Sequence, residues 1–258
     1  MPRIFLVILL ATLPLLSGCM TDPYARLAFI RQQIMPEIKV EIAESPTLNP
    51  NPSESQNYAN IQLGAPTYIR IFKQEALLEA WLQDSETGRY ALFKTYPICT
   101  YSGDLGPKLQ EGDMQSPEGF YDVSEDWMWP ESKYHLAMNI GFPNDYDSSH
   151  NRTGSHLMIH GDCTSEGCYA MTDAQIEEIY VIVEQSLLAG NETVPIHIFP
   201  FRMTGINLAE HRGNPWMRFW INLKRGYDVF EETGVPPEVR VEDGLYMFTP
   251  DLLKPGGV

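Results

Sequence analysis

Basic residues are scarce in this chain of 258 residues. Lysine and arginine together number 18, against 34 aspartates and glutamates, so the formal net charge is −16 at neutral pH. A nucleic-acid partner needs a basic surface that neutralises phosphates, and the composition therefore argues against one. The acidity itself is typical of a solvated surface and indicates no particular substrate.

Long apolar runs are missing after the first twenty residues. A spanning helix needs about 20 consecutive apolar residues, and no later segment of the sequence provides them. The sequence also contains no internal repeat. The roughly 240 residues that follow Gly18 are enough for one large domain or two small ones.

The apolar run at the N-terminus extends from Ile4 to Leu16 and follows Arg3. It is too short to span a membrane but has the length of the hydrophobic region of a secretory signal. We therefore expect export from the cytoplasm, with residues 1–18 acting as a signal peptide.

The end of this signal, Leu16-Ser17-Gly18-Cys19, resembles a bacterial lipobox, in which the cysteine is acylated and becomes the mature N-terminus. Several acyl chains anchor a protein stably. We expect a lipoprotein signal peptide and membrane attachment through acylated Cys19, and Met20 favours the outer membrane. The alternative is an ordinary signal peptide that happens to end near a cysteine.

Cysteine is also rare, and three cysteines remain after Cys19. An odd number in an oxidising compartment predicts one free thiol and one disulfide. A Cys99–Cys163 bond would leave Cys168 free. Two buried thiols at Cys99 and Cys163 are an equally good interpretation of the sequence.

Composition divides the chain after the signal. Apolar residues recur at roughly helical spacing over residues 20–35 and predict a helix or tether, and residues 44–58 are rich in proline, serine and asparagine, as linkers are. We expect residues 19–59 to form a lipid-anchored tether and linker, followed by one compact domain over residues 60–258.

Short β-branched and aromatic segments predict that this domain is rich in strands. Thr67–Phe72 is one such segment, and two others flank the turn-forming residues 84–89, which predicts a hairpin. Further strands are predicted over residues 134–140, 157–159 and 194–199.

Two helices complete the pattern. Thr172 and Gln175 form a capping box before apolar residues at helical spacing, and Gly190 ends the helix. The stripe from Trp216 to Leu223 predicts a second amphipathic helix whose aromatic face is part of the core. The sequence thus predicts a mainly β domain with peripheral helices, an α+β fold.

The stretch from Gly154 to Asp173 carries the most chemical information. An apolar strand leads into His160-Gly161, and a short polar loop then leads through Ser165-Glu166-Gly167-Cys168 towards the capped helix. A nucleophilic cysteine needs a neighbouring base, usually histidine, and a nearby helix start would favour a thiolate. A glycine before the cysteine permits unusual backbone angles. These residues predict Cys168 as nucleophile and His160 as general base.

The ordered set of His160-Gly161 and Ser165-Glu166-Gly167-Cys168 resembles the H-G…S-x-G-C signature of L,D-transpeptidases with the YkuD-like fold. Upstream, Ser116-Pro117-Glu118-Gly119-Phe120-Tyr121 is similar to that family's T/S-P-x-G-x-F/Y segment. The segments 96–113 and 136–146 look like a particular murein-modifying branch. The resemblance covers about residues 67–245.

The resemblance implies a β-sandwich or barrel-like catalytic domain and acyl transfer on the diaminopimelate-containing stem peptides of peptidoglycan. It implies Cys168 as nucleophile and His160 as base, and Gly161 or a neighbouring backbone carbonyl as the group that orients the imidazole. We expect the backbone N–H groups of Gly167 and Cys168 to form the oxyanion hole. The resemblance implies no metal and no cofactor, and it implies a periplasmic location.

Two departures from the family pattern bear on the reaction. Many members have an arginine two residues after the cysteine, where this chain has Ala170, and the loop from His160 to Cys168 is short. Both fit a branch that resembles enzymes thought to cut bonds between lipoproteins and peptidoglycan. The alternative activity is therefore hydrolysis of murein–lipoprotein links or murein cross-links, with a peptidoglycan-linked lipoprotein as a possible partner.

Polar residues near the motif are candidate contacts for the substrate. Arg152 and Lys108 could hold a carboxylate of the stem peptide, Arg152 through a bidentate pair. Ser165 and His156 are the other candidates, and His156 could lie on the same face of the strand as His160. For Arg152 and Lys108, an ordinary surface position is the competing interpretation.

Two other classes of function compete with an enzyme. His160, Cys163 and Cys168 could bind zinc, although their spacing matches no common zinc pattern. A murein-binding lipoprotein without activity is the second rival, against which the intact cysteine and histidine argue. An adduct of iodoacetamide or a carbapenem on Cys168, bound zinc, or murein binding without an adduct would separate these three functions.

Overall fold

The computed structural model describes residues 22–36 and 61–249. The predicted signal peptide, the acylated Cys19 and the linker over residues 44–58 lie outside them. Within the described ranges, no helix combines the length and the apolar character needed to cross a bilayer.

Mixed β-sheets and a few helices make up the described residues. The strands are β1 (Thr67–Phe72), β2 (Leu77–Gln83), β3 (Tyr90–Pro97), β4 (Thr100–Tyr101), β5 (Gly119–Val123), β6 (Met128–Trp129), β7 (Ala137–Asn139), β8 (Met158–His160), β9 (Tyr169–Ala170), β10 (Val194–Phe199), β11 (Val239–Glu242) and β12 (Leu245–Phe248). The α-helices are α1 (Pro23–Ile34), α2 (Asp145–Ser149), α3 (Asp173–Leu188), α4 (Gly205–Glu210) and α5 (Met217–Thr233), and a 3₁₀ turn covers Glu125–Trp127.

The larger sheet has the order β3-β2-β1-β10-β5. β1 pairs in parallel with β10, and the other neighbours are antiparallel. All six residues of β1 are buried. α3 contacts β1 and β10, and a second, aromatic core packs Phe72 of β1 with Trp220 and Tyr227 of α5. A central strand buried on both faces has lost the in-and-out alternation that a half-exposed strand shows.

A second five-stranded sheet has the order β4-β9-β8-β7-β6, with His160 at the end of β8 and Cys168 just before β9, and β11 and β12 form a separate two-stranded sheet. β8 and β9 are parallel, and the remaining pairs are antiparallel. α3 contacts β7 of this sheet as well as β1 and β10 of the larger one. One continuous hydrophobic core therefore joins both sheets and the helix.

The strongest local patterns of the sequence are confirmed. β1 has the predicted limits, β2 and β3 form the predicted hairpin, and β10 covers residues 194–199. Thr172 and Gln175 form the capping box at the start of α3, and the second predicted helix is α5, which is longer than its aromatic stripe. The architecture is α+β, as predicted.

The N-terminal helix α1 packs against the domain. The apolar spacing over residues 20–35 predicted a helix or a tether, and the structure has the helix α1 there, with Leu27 and Ile30 buried in the main core. Arg31 forms a two-pronged ion pair with Glu184 of α3, with N–O distances of 2.5 and 2.6 Å. α1 is therefore part of the hydrophobic core of the domain. In the sequence it follows the predicted anchor at Cys19.

Candidate active site

Two short parallel strands set the positions of Cys168 and His160. His160 ends β8, and Cys168 immediately precedes β9. Ile159 pairs with Tyr169 and His160 with Ala170, so the same register brings Met158 beside Cys168. Paired residues share a face and alternate residues return to it, which directs the side chains of His160 and Cys168 to one face of the sheet.

This face forms a wall of an open pocket of about 620 Å³. Cys168 and His160 both line it. One group of lining residues comes from β6 and the segment after it, and a second group comes from β8 and the two loops that flank it. The lining residues are Trp129, Glu131, Ser132, Lys133 and Tyr134 in the first group, and His156, Met158, His160, Thr164, Ser165, Glu166 and Cys168 in the second.

The imidazole of His160 is held from two directions. Its Nδ1–H donates to the carbonyl oxygen of Gly161 at 2.6 Å, because that oxygen can only accept. In the neutral ring this leaves Nε2 as the unprotonated nitrogen. The ring of Tyr134 stacks on the imidazole with centroids 4.7 Å apart. Burial lowers the pKa of His160, opposed by the hydrogen bond to Gly161 and by the charge of Asp162.

The environment of Cys168 favours the protonated thiol, because it raises the pKa of this side chain. Burial raises its pKa and the charge of Glu166 adds to the shift, while the N–H of Met158 and the charge of Lys108 oppose it. The Sγ–H donates to the carbonyl oxygen of His156 at 3.6 Å. A half-buried, protonated thiol needs a general base at the moment of attack, and His160 lines the same pocket.

The expected helix start beside Cys168 is wrong in detail. β9, Met171 and the capping residue Thr172 lie between Cys168 and the first residue of α3. The macrodipole acts within the first turn of a helix, so the start of α3 does not account for activation of this thiol. The raised pKa of Cys168 is consistent with that separation.

A disulfide holds the loop between the histidine and the cysteine. Cys99 and Cys163 are bonded with their Cα atoms 5.3 Å apart, and Cys168 is the free thiol among the described residues. Of the two interpretations of Cys99 and Cys163, the structure contains the disulfide. Cys163 is therefore unavailable to zinc, and within residues 22–36 and 61–249 no cluster of three metal-binding side chains occurs.

Hydroxyl groups fix the backbone at Cys168. The carbonyl oxygen of Cys168 accepts from Ser165 Oγ at 2.7 Å and from Ser116 Oγ at 3.1 Å. Ser116 opens the upstream motif, and the next residue, Pro117, accepts a 2.8 Å hydrogen bond from Tyr169. The two sequence motifs thus meet at Cys168.

Gly167 adopts a φ of +117°, which non-glycine residues rarely adopt. Its N–H donates to Ser165 Oγ at 3.3 Å. The predicted oxyanion donor at Gly167 is therefore engaged within the loop, whereas Ser165, predicted to contact the substrate, both lines the pocket and braces the loop.

The other predicted substrate contacts divide into two groups. His156 lines the pocket, although it lies before β8 in a left-handed conformation with φ +55° and does not continue the strand of His160. Arg152 is buried, bonds Asp147 at 2.8 Å and lies over the rings of Tyr146 and Phe219. The position of Arg152 does not support its predicted contact with a substrate carboxylate, because the guanidinium already has a buried partner.

Lys108 is also buried and pairs with Asp113 at 2.5 Å. It is not part of the pocket lining, so its position does not support direct contact with the substrate. Its charge nevertheless lowers the pKa of Cys168, which gives Lys108 an electrostatic influence on the site.

The contribution of Trp129 and residues 131–134 to the pocket was not predicted from the sequence. No local pattern indicates that Tyr134 lies over His160, because the contact depends on the antiparallel pairing of β7 and β8. Trp129 remains 42% exposed at the pocket, and its ring lies 5.8 Å from that of His156. A tryptophan next to turn-forming residues is the one feature of the sequence that could have suggested this side of the site.

Comparison with known proteins gives one family. The model of the L,D-transpeptidase catalytic domain (YkuD) matches residues 66–198. In two strains of Escherichia coli, the protein YafK, which carries the provisional name of an L,D-transpeptidase, is 47% identical over 198 residues, which are 77% of this chain and 80% of YafK.

Solved structures of Pgp2, the helical cell shape determining protein of Campylobacter jejuni, also match. A mutant form has a TM-score of 0.41 and 21% identity over 55% of this chain, and the match spans about half of that chain, 51%. Another Pgp2 structure has a TM-score of 0.41 and 16% identity over 70% of this chain and 77% of Pgp2.

Proposed function

Because the chain belongs to the L,D-transpeptidase catalytic domain family, we propose that it is a cysteine-dependent acyl transferase acting on peptidoglycan stem peptides. Cys168 is the proposed nucleophile and His160 the proposed general base. The observation that carries the proposal is that a free thiol and an imidazole with an unprotonated Nε2 line one open pocket from the same face of a sheet.

The proposed reaction begins from a neutral pair. As Sγ of Cys168 bonds to the carbonyl carbon of diaminopimelate, the thiol proton passes to Nε2 of His160. The carbonyl of Gly161 and the ring of Tyr134 hold the imidazole while it becomes charged. The carbon–nitrogen bond to D-alanine then breaks, and the imidazolium returns the proton to the departing amine.

The acyl-enzyme can be resolved in two ways. An incoming amine gives transpeptidation, and water gives hydrolysis, with His160 accepting the proton in either case. The raised thiol pKa and lowered imidazole pKa support general-base attack rather than a preformed ion pair. The N–H of Cys168 is the proposed oxyanion donor, joined by Gly167 only if that group leaves Ser165.

The proposed location is the periplasm, with acylated Cys19 as the anchor, preferably in the outer membrane. The lipobox-like sequence before Cys19 supports the anchor. The Cys99–Cys163 disulfide supports an oxidising compartment, because such bonds are rare in the cytosol.

Mass spectrometry of defined muropeptides tests the proposal. Tetrapeptide and lipoprotein-linked muropeptides are incubated with the wild-type protein and with the variants Cys168→Ala, His160→Ala and His150→Ala. The last variant changes an exposed histidine outside the pocket and should retain activity. A new cross-link means transfer, and cleavage of the diaminopimelate amide bond without a new cross-link means hydrolysis.

We expect turnover and an iodoacetamide adduct on Cys168 in the wild type, and loss of turnover in Cys168→Ala with unchanged circular dichroism. Turnover at the wild-type rate in Cys168→Ala would rule out the proposed nucleophile. Loss of turnover in His150→Ala as severe as in His160→Ala would remove the specific role of His160.

A further inference from the structure

One arginine of the N-terminal helix bonds both ends of a segment that lines the active-site pocket. Nη2 of Arg26 donates to the carbonyl oxygens of Pro130 at 3.0 Å and His135 at 2.5 Å. These two carbonyls lie at the ends of residues 130–135, which we call the pocket wall. Residues 131–134 within it line the pocket that holds Cys168 and His160.

The pocket wall has little regular structure of its own. It connects β6 to β7 through turns, and His135 adopts a left-handed φ of +70°. Its internal hydrogen bonds include those from the N–H of Tyr134 to Ser132 Oγ at 3.0 Å and from the N–H of Ser132 to Trp129 at 3.4 Å. The ring of His135 bonds Glu177 of α3 at 2.7 Å, and the guanidinium of Arg26 adds charge-assisted hydrogen bonds at both ends of the segment.

The pocket wall in turn contacts the proposed base. The ring of Tyr134 stacks on His160, and the carbonyl oxygen of Tyr134 accepts from the N–H of Gly161 at 3.1 Å. Gly161 is the residue whose carbonyl holds Nδ1 of His160. Displacement of the wall would therefore disturb both contacts that orient the imidazole.

A second arginine of α1 fixes the helix without touching the pocket wall. Arg31 pairs with Glu184 of α3, and the buried Leu27 and Ile30 add apolar contact with the core. The helix thus has its own docking contacts, and the bonds made by Arg26 are not needed to explain why it lies there. The pairs made by Arg26 and Arg31 provide a test variant and a matched control on one element.

We propose that Arg26 is a positioning residue of the active site. Through Arg26, α1 holds the pocket wall in place, in addition to following the proposed anchor in sequence. The proposal rests on the proposed function of Cys168 and His160. The helix lies outside residues 66–198, which the family model covers, so the domain match alone does not assign it a role.

The test compares Arg26→Ala, Arg26→Lys and Arg31→Ala in the full chain. The readouts are kcat and KM on a tetrapeptide muropeptide, the pH profile of Cys168 alkylation by iodoacetamide, hydrogen exchange of the pocket wall, and the midpoint of thermal unfolding. Alkylation and hydrogen exchange need no turnover. They therefore separate a failure of this proposal from a failure of the proposed function.

For Arg26→Ala we expect kcat to fall on the order of tenfold to hundredfold with a smaller change in KM, because a misplaced catalytic group costs rate. Exchange should rise in residues 130–135, and the alkylation profile should shift. Arg26→Lys should recover part of the rate through one of the two carbonyls. Arg31→Ala should lower the unfolding midpoint while keeping kcat and the alkylation profile of the wild type.

Equal effects of Arg26→Ala and Arg31→Ala on all four readouts would overturn the proposal. If Arg26→Ala does not fold, the comparison uses Arg26→Lys, for which a smaller change in kcat, exchange and alkylation is expected. Wild-type values of all three in a folded Arg26→Lys protein would then overturn it.

Discussion

The ring of Tyr134 stacks on the imidazole of His160, with centroids 4.7 Å apart and an angle of 29° between the planes. Tyr134 belongs to the segment between β6 and β7, and His160 ends β8. The hydrogen bond to Gly161 fixes the Nδ1 edge of the imidazole. The stacked ring of Tyr134 restricts rotation of the imidazole plane. The two contacts together define where Nε2 points before any substrate arrives.

Removal of the ring should therefore slow the reaction. We expect Tyr134→Leu to lower kcat between about twofold and about tenfold, the range that aromatic pair energies of about 0.5–1.5 kcal/mol correspond to. Tyr134→Phe keeps the stacked face and should stay within about twofold of the wild type. Steady-state kinetics on a muropeptide measures both, and identical rates for the two variants would contradict the role given to the ring.

The pH dependence of activity should follow a neutral thiol and a neutral imidazole. Burial lowers the pKa of His160, so the base is unprotonated at a lower pH than usual, and the acid limb of kcat/KM should have its midpoint below about 6.5. Because burial raises the pKa of Cys168, alkylation of the free enzyme should rise with a midpoint above about 8.5. Rapid alkylation that persists at pH 5 would instead indicate a preformed thiolate.

Asp162 provides an internal check of the same assignment. Its charge raises the pKa of His160 against the effect of burial. Asp162→Asn should therefore move the acid limb of kcat/KM to lower pH while leaving its shape unchanged. A shift in the opposite direction would mean that the acid limb belongs to another group.

Local sequence patterns predicted the elements that are specified by signals close together in the sequence. The capping box of Thr172 and Gln175 predicted the start of α3, and the β-branched run from Thr67 to Phe72 gave β1 its correct limits. Both signals depend on residues within one turn or one strand. The spacing of His160 and Cys168 was informative for a similar reason, since the two residues lie at the two ends of one short loop between paired strands.

The supporting contacts of the site could not be predicted because they join distant parts of the chain. Arg26 bonds residues more than 100 positions away, and Tyr134 reaches His160 through strand pairing. Arg152 was expected at the substrate because it precedes the motif, but its short-range pairing with Asp147 decides its position. Proximity in sequence to a catalytic motif is thus a weaker guide than the competition for partners in the fold.

The left-handed backbone of Gly167 should make this glycine difficult to replace. At φ +117° a Cβ is strained, and it would lie 3.3 Å from Leu157 Cδ1. We expect Gly167→Ala to lower the free energy of unfolding by about 1–3 kcal/mol and to reduce activity through the adjacent Cys168. Gly205→Ala is the control, because that position has open space and no positive φ, and denaturant unfolding should show no loss there.

The disulfide should stabilise the loop that carries the site. Cys99 and Cys163 are 64 residues apart, and closure of a loop of that length in the unfolded chain corresponds to about 4 kcal/mol in the chain-entropy model. The double variant Cys99→Ala/Cys163→Ala should unfold at a lower denaturant concentration. Dithiothreitol should lower the midpoint of the wild type towards that of the variant and leave the variant unchanged, and an effect of equal size on both proteins would contradict this account.

His197 should make folding stability depend on pH below neutrality. The side chain is buried, hydrogen-bonded through Nδ1 to the Tyr68 hydroxyl at 2.8 Å, and its pKa is lowered well below the usual value by burial and by Arg70. Below about pH 6.5 the unfolded chain binds a proton at this histidine that the folded protein excludes. Its contribution is therefore fully present above about pH 6.5 and is lost as the pH falls towards the lowered pKa.

The variant His197→Gln removes the group that takes up this proton and keeps a side chain that can form a hydrogen bond with Tyr68. Urea unfolding of the wild type and the variant at constant ionic strength should give curves of stability against pH that run parallel from pH 7 to 9. Below about pH 6.5 the wild type should lose more, at a rate of up to about 1.4 kcal/mol per pH unit for one proton. The contribution of His160 to the pH dependence is the same in both proteins and cancels in the difference between the two curves. Parallel curves down to pH 5 would therefore show that His197 is protonated in the folded state.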